Sequence, residues 1–457
     1  MKLYCKYCHK SFSPEEGYLS CPQGKGDFHV LIPIFKPRRK RIIKTDLESI
    51  PFILFDNFIS SNYLLGKKDY KEIVRNVDIG LKKLGMPPFH ITPLTNSKEL
   101  ENKLGLSSHT LFIKDETENV TNSHKARHGM ANLLYIEALR RIKKEKEKKQ
   151  LAIYSCGNAA LGAAAIAASL GYKLFTFVPE TISKEVEKLL IYYGTSVIKI
   201  PREQAGGGDP CYNRFQEAIT KLGMLPCSCS GPDNWPNIEG GATIFYEMAT
   251  QIKKEFSGEL DTIFVQVGGG ALTSAVVYGF NMLKKSGLIK RAPRLICVQT
   301  KSCYPLKLAF DNVMALKNNL SIERLMVKVG KEGKKYMKAW DRNVPESLAE
   351  GILDDTTYDW LNVIESVIDT EGDVVVVAEK EVEKAYEMVK SLGMNVSATG
   401  TAGLAGLLKY IKENKPKKGE KIGLLFTGID ERKSIKNLKN AGKSFILKSS
   451  DSIERIL

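Results

Sequence analysis

The chain has 457 residues, 43% of them hydrophobic and 26% charged, with a formal net charge of +16. No apolar run reaches the roughly 18 residues that a membrane span requires, and the opening MKLYCKYCHK lacks the apolar stretch of a secretory signal, so no membrane partner is expected and the cytoplasm is the expected location. Nine cysteines scattered over so long a chain fit reduced thiols better than a disulfide framework.

The positive balance can draw nucleic acid or an anionic substrate. Much of it, however, falls in mixed runs such as residues 140–149, RRIKKEKEKK, which read as the solvated end of a helix. Residues 36–44, KPRRKRIIK, are more purely basic and form a candidate phosphate-binding run.

In chain order, residues 1–35 are short, turn-rich and carry Cys5, Cys8 and Cys21. Residues 36–87 have mixed charge and no clear motif. From about Thr92 strands alternate with helices. Residues 111–113 are a short apolar run, and Met130, Leu134, Ala138 and Ile142 recur every fourth position within a helix predicted over 123–149. Further strands are predicted at 152–154, 173–178, 196–200, 262–267, 295–299, 374–378 and 421–426. Helices are predicted at 159–170, 183–193, 271–284 and 401–412, with another running to Leu392. Such alternation predicts an α/β protein with parallel sheets covered by helices on both faces. The stretch is too long for one simple sheet, so two doubly wound lobes flanking a cleft are expected.

Three loops carry candidate chemistry. Residues 114–127, KDETENVTNSHKAR, run from a strand into a helix, with Ser123 as the expected N-cap and Lys125 in the first turn. A lysine is electrostatically misplaced there, because helix N-termini favour negative charge. An amine committed to a Schiff base would resolve the conflict; an ordinary surface lysine is the plainer alternative. Ser155, Cys156, Gly157, Asn158 and Ala159 also link a strand to a helix, where backbone N–H groups can receive a carboxylate and Asn158 can donate to a phenolic oxygen. A plain turn is the alternative. Gly268, Gly269, Gly270, Ala271 and Leu272 let the backbone wrap an anion at a helix N-terminus, with phosphate as the natural guest.

Together these loops resemble, in order and context, the fold type II pyridoxal-phosphate (PLP) enzymes, and within them the threonine synthase-like branch. Thr92-Pro93-Leu94, Lys114-Asp115-Glu116, Ser123-His124-Lys125, the Asn158 loop, the glycine loop and Phe426-Thr427-Gly428 carry the resemblance over roughly residues 88–435. It implies a tryptophan synthase β-like fold over 88–457 and a homodimer. It also implies that Lys125 holds pyridoxal 5'-phosphate and later moves protons, and that residues 268–272 hold the phosphate. Asn158 would meet the ring oxygen, Thr427 the pyridine nitrogen, and Ser155, Cys156 and Ala159 the substrate end. The expected activity is elimination or replacement on an amino acid, with an ammonia-lyase for threonine, serine or diaminopropionate as the alternative.

The branch is suggested by Thr427 before Gly428, by Val298-Gln299-Thr300, and by Cys5-x2-Cys8 with Cys21, which resembles the branch's cysteine knuckle. Gly24 stands where a fourth cysteine is usual, so His9 or His29 would complete a zinc site. Departures are His124 for phenylalanine, Ala126 for aspartate, Cys156 and Ala159 for hydroxyl residues, and Glu239-Gly240-Gly241-Ala242-Thr243 for a run containing Gln and Lys. Cys156 reads as a small buried filler or as a reactive thiol; His124 and His128 as packing groups or proton shuttles. Asn234, Trp235 and Asn237 are expected on the substrate side. The rival readings are a catalytically inactive member of the family and a nucleic-acid-binding module within residues 1–50, which would show salt-sensitive binding.

Overall fold

Every predicted strand from residue 111 to residue 426 enters one of two sheets in the protein, seen here as a computed structural model. It describes all residues except 25–28, 38–49, 108–109, 202–208, 318–319, 343, 414–415, 431, 433–440 and 449. Residues 38–44 of the basic run therefore lie outside the described residues.

The larger sheet runs in the order Asp373–Val377, Arg294–Thr300, Thr262–Gln266, Ile422–Phe426, Leu111–Asp115, Leu94–Thr95. All neighbours are parallel except the short last pair. The smaller sheet is wholly parallel, in the order Lys443–Ile446, Ser196–Ile200, Leu174–Pro179, Leu151–Tyr154, Leu225–Pro226. Their central strands, such as IGLLF at Ile422–Phe426, are buried throughout, as expected where helices cover both faces. A separate three-stranded antiparallel sheet, Ser11–Phe12, Lys2–Cys5 and Leu31–Ile34, forms the N-terminal unit. No described helix is long and apolar enough to cross a membrane.

Two helices meet where the sheets adjoin. Lys125–Ile142 carries the candidate lysine, and Asn158–Ser169 starts at the candidate asparagine. Their approach depends on Gly162, where a Cβ would lie 2.8 Å from the Ala126 nitrogen. The helix Pro236–Glu255 packs on the other side of the lysine helix. A Cβ at Gly241 would sit 2.4 Å from Cε1 of His128. The glycine that replaces the resembled run's larger residue thus makes room for a histidine. The expected Ser123 cap is corrected: His124 is the N-cap residue, no side chain caps the helix, and the Ser123 hydroxyl is buried without a partner. Ser123 instead bridges to Gly428 in extended backbone, which ties the lysine loop to the end of strand Ile422–Phe426.

Candidate active site

Beneath Lys125 lies a fully buried ionic network built from the resembled motifs. Arg127 donates to Glu116 at 2.7 and 3.0 Å and to Glu247 at 2.5 Å. Lys114 donates to Glu247 at 2.7 Å, to the Thr92 carbonyl at 2.6 Å and to Gln251 at 2.9 Å. The Thr92 hydroxyl closes the circuit on Glu116 at 2.6 Å. The ion-paired side chains are all 0% exposed. Although burial opposes its charge, the two carboxylates hold the Arg127 guanidinium firmly protonated, and Arg127 and Lys114 keep Glu247 below the usual carboxylate range. Buried charges of this kind persist because each is paired and hydrogen-bonded. The network joins strand Leu111–Asp115, helix Pro236–Glu255 and the first turn of the lysine helix, so it fixes where Lys125 emerges.

Lys125 is half-buried and makes no hydrogen bond or ion pair among the described residues. The preceding His124 donates its backbone N–H to the Thr427 carbonyl at 3.0 Å, and its Nδ1 lies 3.0 Å from the same oxygen. Since a carbonyl only accepts, that Nδ1 carries the hydrogen. Burial and the nearby Lys125 charge depress both His124 and His128, the latter to about 3, so both imidazoles are neutral near pH 7. His128 spends Nδ1 on Asn237 at 2.9 Å, and its Nε2 is buried without a partner.

Asn158 reaches the same place from the other lobe. Arg432 donates to its Oδ1 and, at 2.9 Å, to the Thr121 carbonyl. The amide is thereby turned so that Nδ2 faces Gly428, 3.3 Å from where a Cβ there would stand. The donating end therefore faces the strand end beside Lys125. Thr427 is buried, and its hydroxyl accepts from Nε2 of Gln266 at 3.2 Å. Sequence reasoning missed Arg432 and Gln266. The first lies beyond the helical periodicity, and the second is one buried position in an apolar strand.

The glycine loop opens helix Ala271–Ser286 from strand Thr262–Gln266, with Gly270 at φ +95°. Side chains there are excluded by what crosses it. A Cβ on Gly268 would fall 2.1 Å from Oδ2 of Asp354, and one on Gly270 would fall 2.9 Å from Thr357. Thr357 donates its hydroxyl to the Gly268 carbonyl at 3.0 Å. In the first helical turn the hydroxyls of Thr273 and Ser274 are buried without partners.

Three aspartates that sequence reasoning did not single out surround this loop, Asp359 buried and Asp233 and Asp354 half-buried. Asp354 is pushed up by burial, though Lys125 and the Gly269 N–H oppose the shift. Burial likewise raises Asp359 to about 7 and Asp233 to about 6. Ser228 donates to Asp233 at 3.2 Å. Nothing in local pattern marks these residues; only the fold brings 233, 354 and 359 to one loop.

The remaining expected residues divide. Ser155 and Ala159 are half-buried at the helix start, and Cys156 is exposed there. The buried-filler reading of Cys156 is therefore corrected, while partial burial of its thiol raises its pKa, which opposes a reactive thiolate. Asn234, Trp235 and Asn237 are 0% exposed and internally bonded, so they hold their loop rather than line a cleft. Asn234 accepts from the Ser228 N–H at 2.8 Å, and Trp235 Nε1 donates to the Tyr18 carbonyl at 2.9 Å. Trp235 thereby ties the N-terminal unit to this loop. Within that unit Cys5, Cys8, Cys21 and His29 bring one ligand atom each within 4.8 Å of one another. His9 is turned away and bonds Tyr4 at 3.0 Å, so His29 and not His9 joins the cysteines.

The site suits a phosphorylated aldehyde. A glycine cradle beside a helix N-terminus and two orphaned hydroxyls next to it can receive a phosphate, and the Lys125 amine, free of any hydrogen bond among the described residues, can receive an aldehyde. Sequence comparison gives the same class: residues 86–428 match the family described as pyridoxal-phosphate dependent enzyme, and the chain belongs to that family. Its α/β fold is that of the fold type II members. Among individual relatives it is 24% identical to threonine synthase of Methanocaldococcus jannaschii over 351 residues, covering 74% of each chain. It is 26% identical to the biosynthetic L-threonine dehydratase of Haemophilus influenzae over 74% of this chain and 56% of that one. Maize serine racemase superposes with a TM-score of 0.57 at 19% identity, covering 79% of this chain and 94% of that one.

Proposed function

We propose that the protein is a PLP-dependent lyase or synthase that eliminates or replaces a group on an amino acid, of the threonine synthase-like kind. The observation that supports this is the approach of the lysine loop and Asn158 to the Thr427–Gly428 strand end, where Gln266, from the strand that leads into the glycine loop, also bonds Thr427. Lys125 would hold the cofactor, residues 268–272 its phosphate, Asn158 Nδ2 its ring oxygen and Thr427 its ring nitrogen. When bound, pyridoxal phosphate supplies an electron sink for negative charge at the substrate α-carbon. The Lys125 amine, once free, takes and returns the proton at that carbon. The helix N-terminus at Ser155, Cys156 and Ala159 orients the substrate carboxylate through backbone N–H groups. Thr427 offers a neutral hydroxyl where a carboxylate would stabilise full positive charge. That suits loss of a β or γ substituent, and addition in its place, better than transamination.

The test is the visible absorption of the purified full-length protein. A yellow band that disappears in Lys125→Ala supports the reading; a colourless wild type that stays colourless with added pyridoxal phosphate would sink it. Ammonia and a keto acid released from serine or threonine without a second substrate would favour the ammonia-lyase alternative.

We also propose that Cys5, Cys8, Cys21 and His29 hold one zinc ion, since three sulfurs and one imidazole nitrogen gathered this closely match a structural zinc site. Elemental analysis should find one zinc per chain, absent from Cys8→Ser.

A further inference from the structure

The side-chain end of this cleft is acidic and aromatic. Asp354 lies against Gly268, and Tyr358 lies 3.1 Å from a Cβ built on Gly269. Asp359 Oδ1 lies 2.1 Å from a Cβ built on Gly231, in the turn that also carries Asp233. Tyr154, the residue immediately before the Ser155 loop, packs edge-on against Tyr212 with ring centroids 4.9 Å apart. Its phenol is close enough to Asp233, Tyr358 and Asp354 for their charges to act on it.

Separately, Asp359 is 1% exposed, and neither of its oxygens has a well-formed hydrogen bond, although the Gly231 N–H is beside them. A buried carboxylate without a partner is costly. Lys125 is the cation whose charge reaches both Asp354 and Asp359. Committing that amine to a cofactor, and adding a phosphate on the glycine loop, would leave the cluster with excess negative charge. A cation carried by the substrate would offset that charge without requiring the carboxyl groups to hold protons. A side-chain phosphate, by contrast, would face three aspartates with Lys125 as the cation acting on Asp354 and Asp359.

Resting on the proposed PLP chemistry, we propose that the substrate is an amino acid whose side chain carries a second amine, seated between Asp233, Asp354 and Asp359 with Tyr154 and Tyr358 beside it. Carboxylates supply the charge pairing, and tyrosine faces supply cation–π attraction to an ammonium, which grows as water is excluded.

The experiment titrates the full-length holoprotein with 2,3-diaminopropionate, 2,4-diaminobutyrate, serine and O-phosphohomoserine, following the change in visible absorption. Half-saturation by at least one diamino acid should come at a concentration at least tenfold below those for serine and phosphohomoserine. Asp359→Asn should erase most of that tenfold preference while keeping the visible band and a cooperative melting transition no lower than that of wild type; Asp354→Asn serves as the second variant. Equal or tighter binding of phosphohomoserine or serine overturns the proposal, as does a preference unchanged in both variants. A wild type with no visible band refutes the cofactor reading, and this one with it. A band without a diamino preference refutes only this one.

Discussion

Two sets of buried charges flank Lys125, and they are built on opposite rules. Below the lysine helix, Arg127, Lys114, Glu116 and Glu247 are each matched by an opposite charge and by additional hydrogen bonds. Across the glycine loop, Asp359 is equally enclosed and Asp233 and Asp354 are partly so, yet no ion pair reaches any of them among the described residues. Matched burial is scaffold, since it holds a geometry. Unmatched burial is a cost to the fold, and such costs concentrate where a ligand later supplies the missing partner.

The largest effect expected of any single change lies between the two sets. Lys125→Ala should abolish the visible band and lower turnover on any accepted amino acid by at least about a thousandfold, given the factor of 10²–10⁴ usual for a positioned general base plus the lost attachment point. Turnover within tenfold of wild type would show that some other amine does this work, and the comparison would lose its centre. Next comes the scaffold. Arg127→Met leaves Glu116 without its cation and Glu247 with Lys114 alone. Removing one partner of a buried pair costs about 3–5 kcal/mol, which should appear as a lower midpoint of denaturant unfolding. Adding Glu116→Gln to that variant should recover part of the loss; a purely additive double variant would show that the residues are not coupled.

The two sets also differed in how well the sequence announced them. Thr92, Lys114, Glu116 and Lys125 stand in recognisable local strings, and the glycine loop is contiguous, so the scaffold and the phosphate seat could be read by eye. The aspartates could not, because residues 233, 354 and 359 share a site only through the crossing of the strap at 352–359 over Gly268 to Gly270. Strand placement was legible because buried parallel strands are short, uniformly apolar runs. Three long helices, Lys67–Lys83, Pro210–Leu222 and Pro236–Glu255, were not foreseen. In the last, Gly240 and Gly241 obscure the helical pattern: they lower intrinsic propensity, and the packing against Arg127 and His128 that requires them is tertiary. Trp235 is expected on the substrate side because its loop resembles the family's segment before the Glu239-Gly240 run, whereas its ring packs on Tyr135 and its N–H binds the N-terminal unit.

On the unmatched side the sign of the effect should reverse. Asp359→Asn removes a charge that the folded chain tolerates poorly, so at pH 8 the variant should be more stable than wild type by roughly 1–3 kcal/mol, the usual cost of an unsatisfied buried polar group. Burial lifts Asp359 from 3.8 to about 7. The folded state therefore keeps this proton longer than the unfolded state, and wild-type stability falls as pH rises across that window. The variant's advantage should be present at pH 8 and gone near pH 4, as read by denaturant midpoints. An Asn variant that is less stable at pH 8 would mean that Asp359 has a cationic partner after all.

The smallest net effect at low pH should come from a carboxylate of intermediate kind. Glu239 is buried with no cation paired to it among the described residues, yet its oxygens accept from the Ser60 N–H at 3.1 and 3.0 Å, from the Ser60 hydroxyl at 2.6 Å and from Tyr278 at 3.4 Å. Burial raises it from 4.5 to about 8 in spite of those donors. Glu239→Gln keeps one acceptor oxygen for Ser60 but brings an NH₂ that must find its own partner, a cost of about 1 kcal/mol. Below pH 4.5 wild type is neutral in both states, so the variant should be slightly the less stable. Between pH 4.5 and 8 the unfolded wild type has released its proton while the folded chain still holds it, and wild type loses stability steadily. The two unfolding curves should therefore cross within that window, with Gln the more stable at pH 8.5. Curves that never cross would mean that the Ser60 and Tyr278 donors satisfy the ionised carboxylate fully. Hydrogen bonds alone would then do what the ion pairs do around Arg127, and the line drawn here between matched and unmatched charge would have to run through donors rather than through cations.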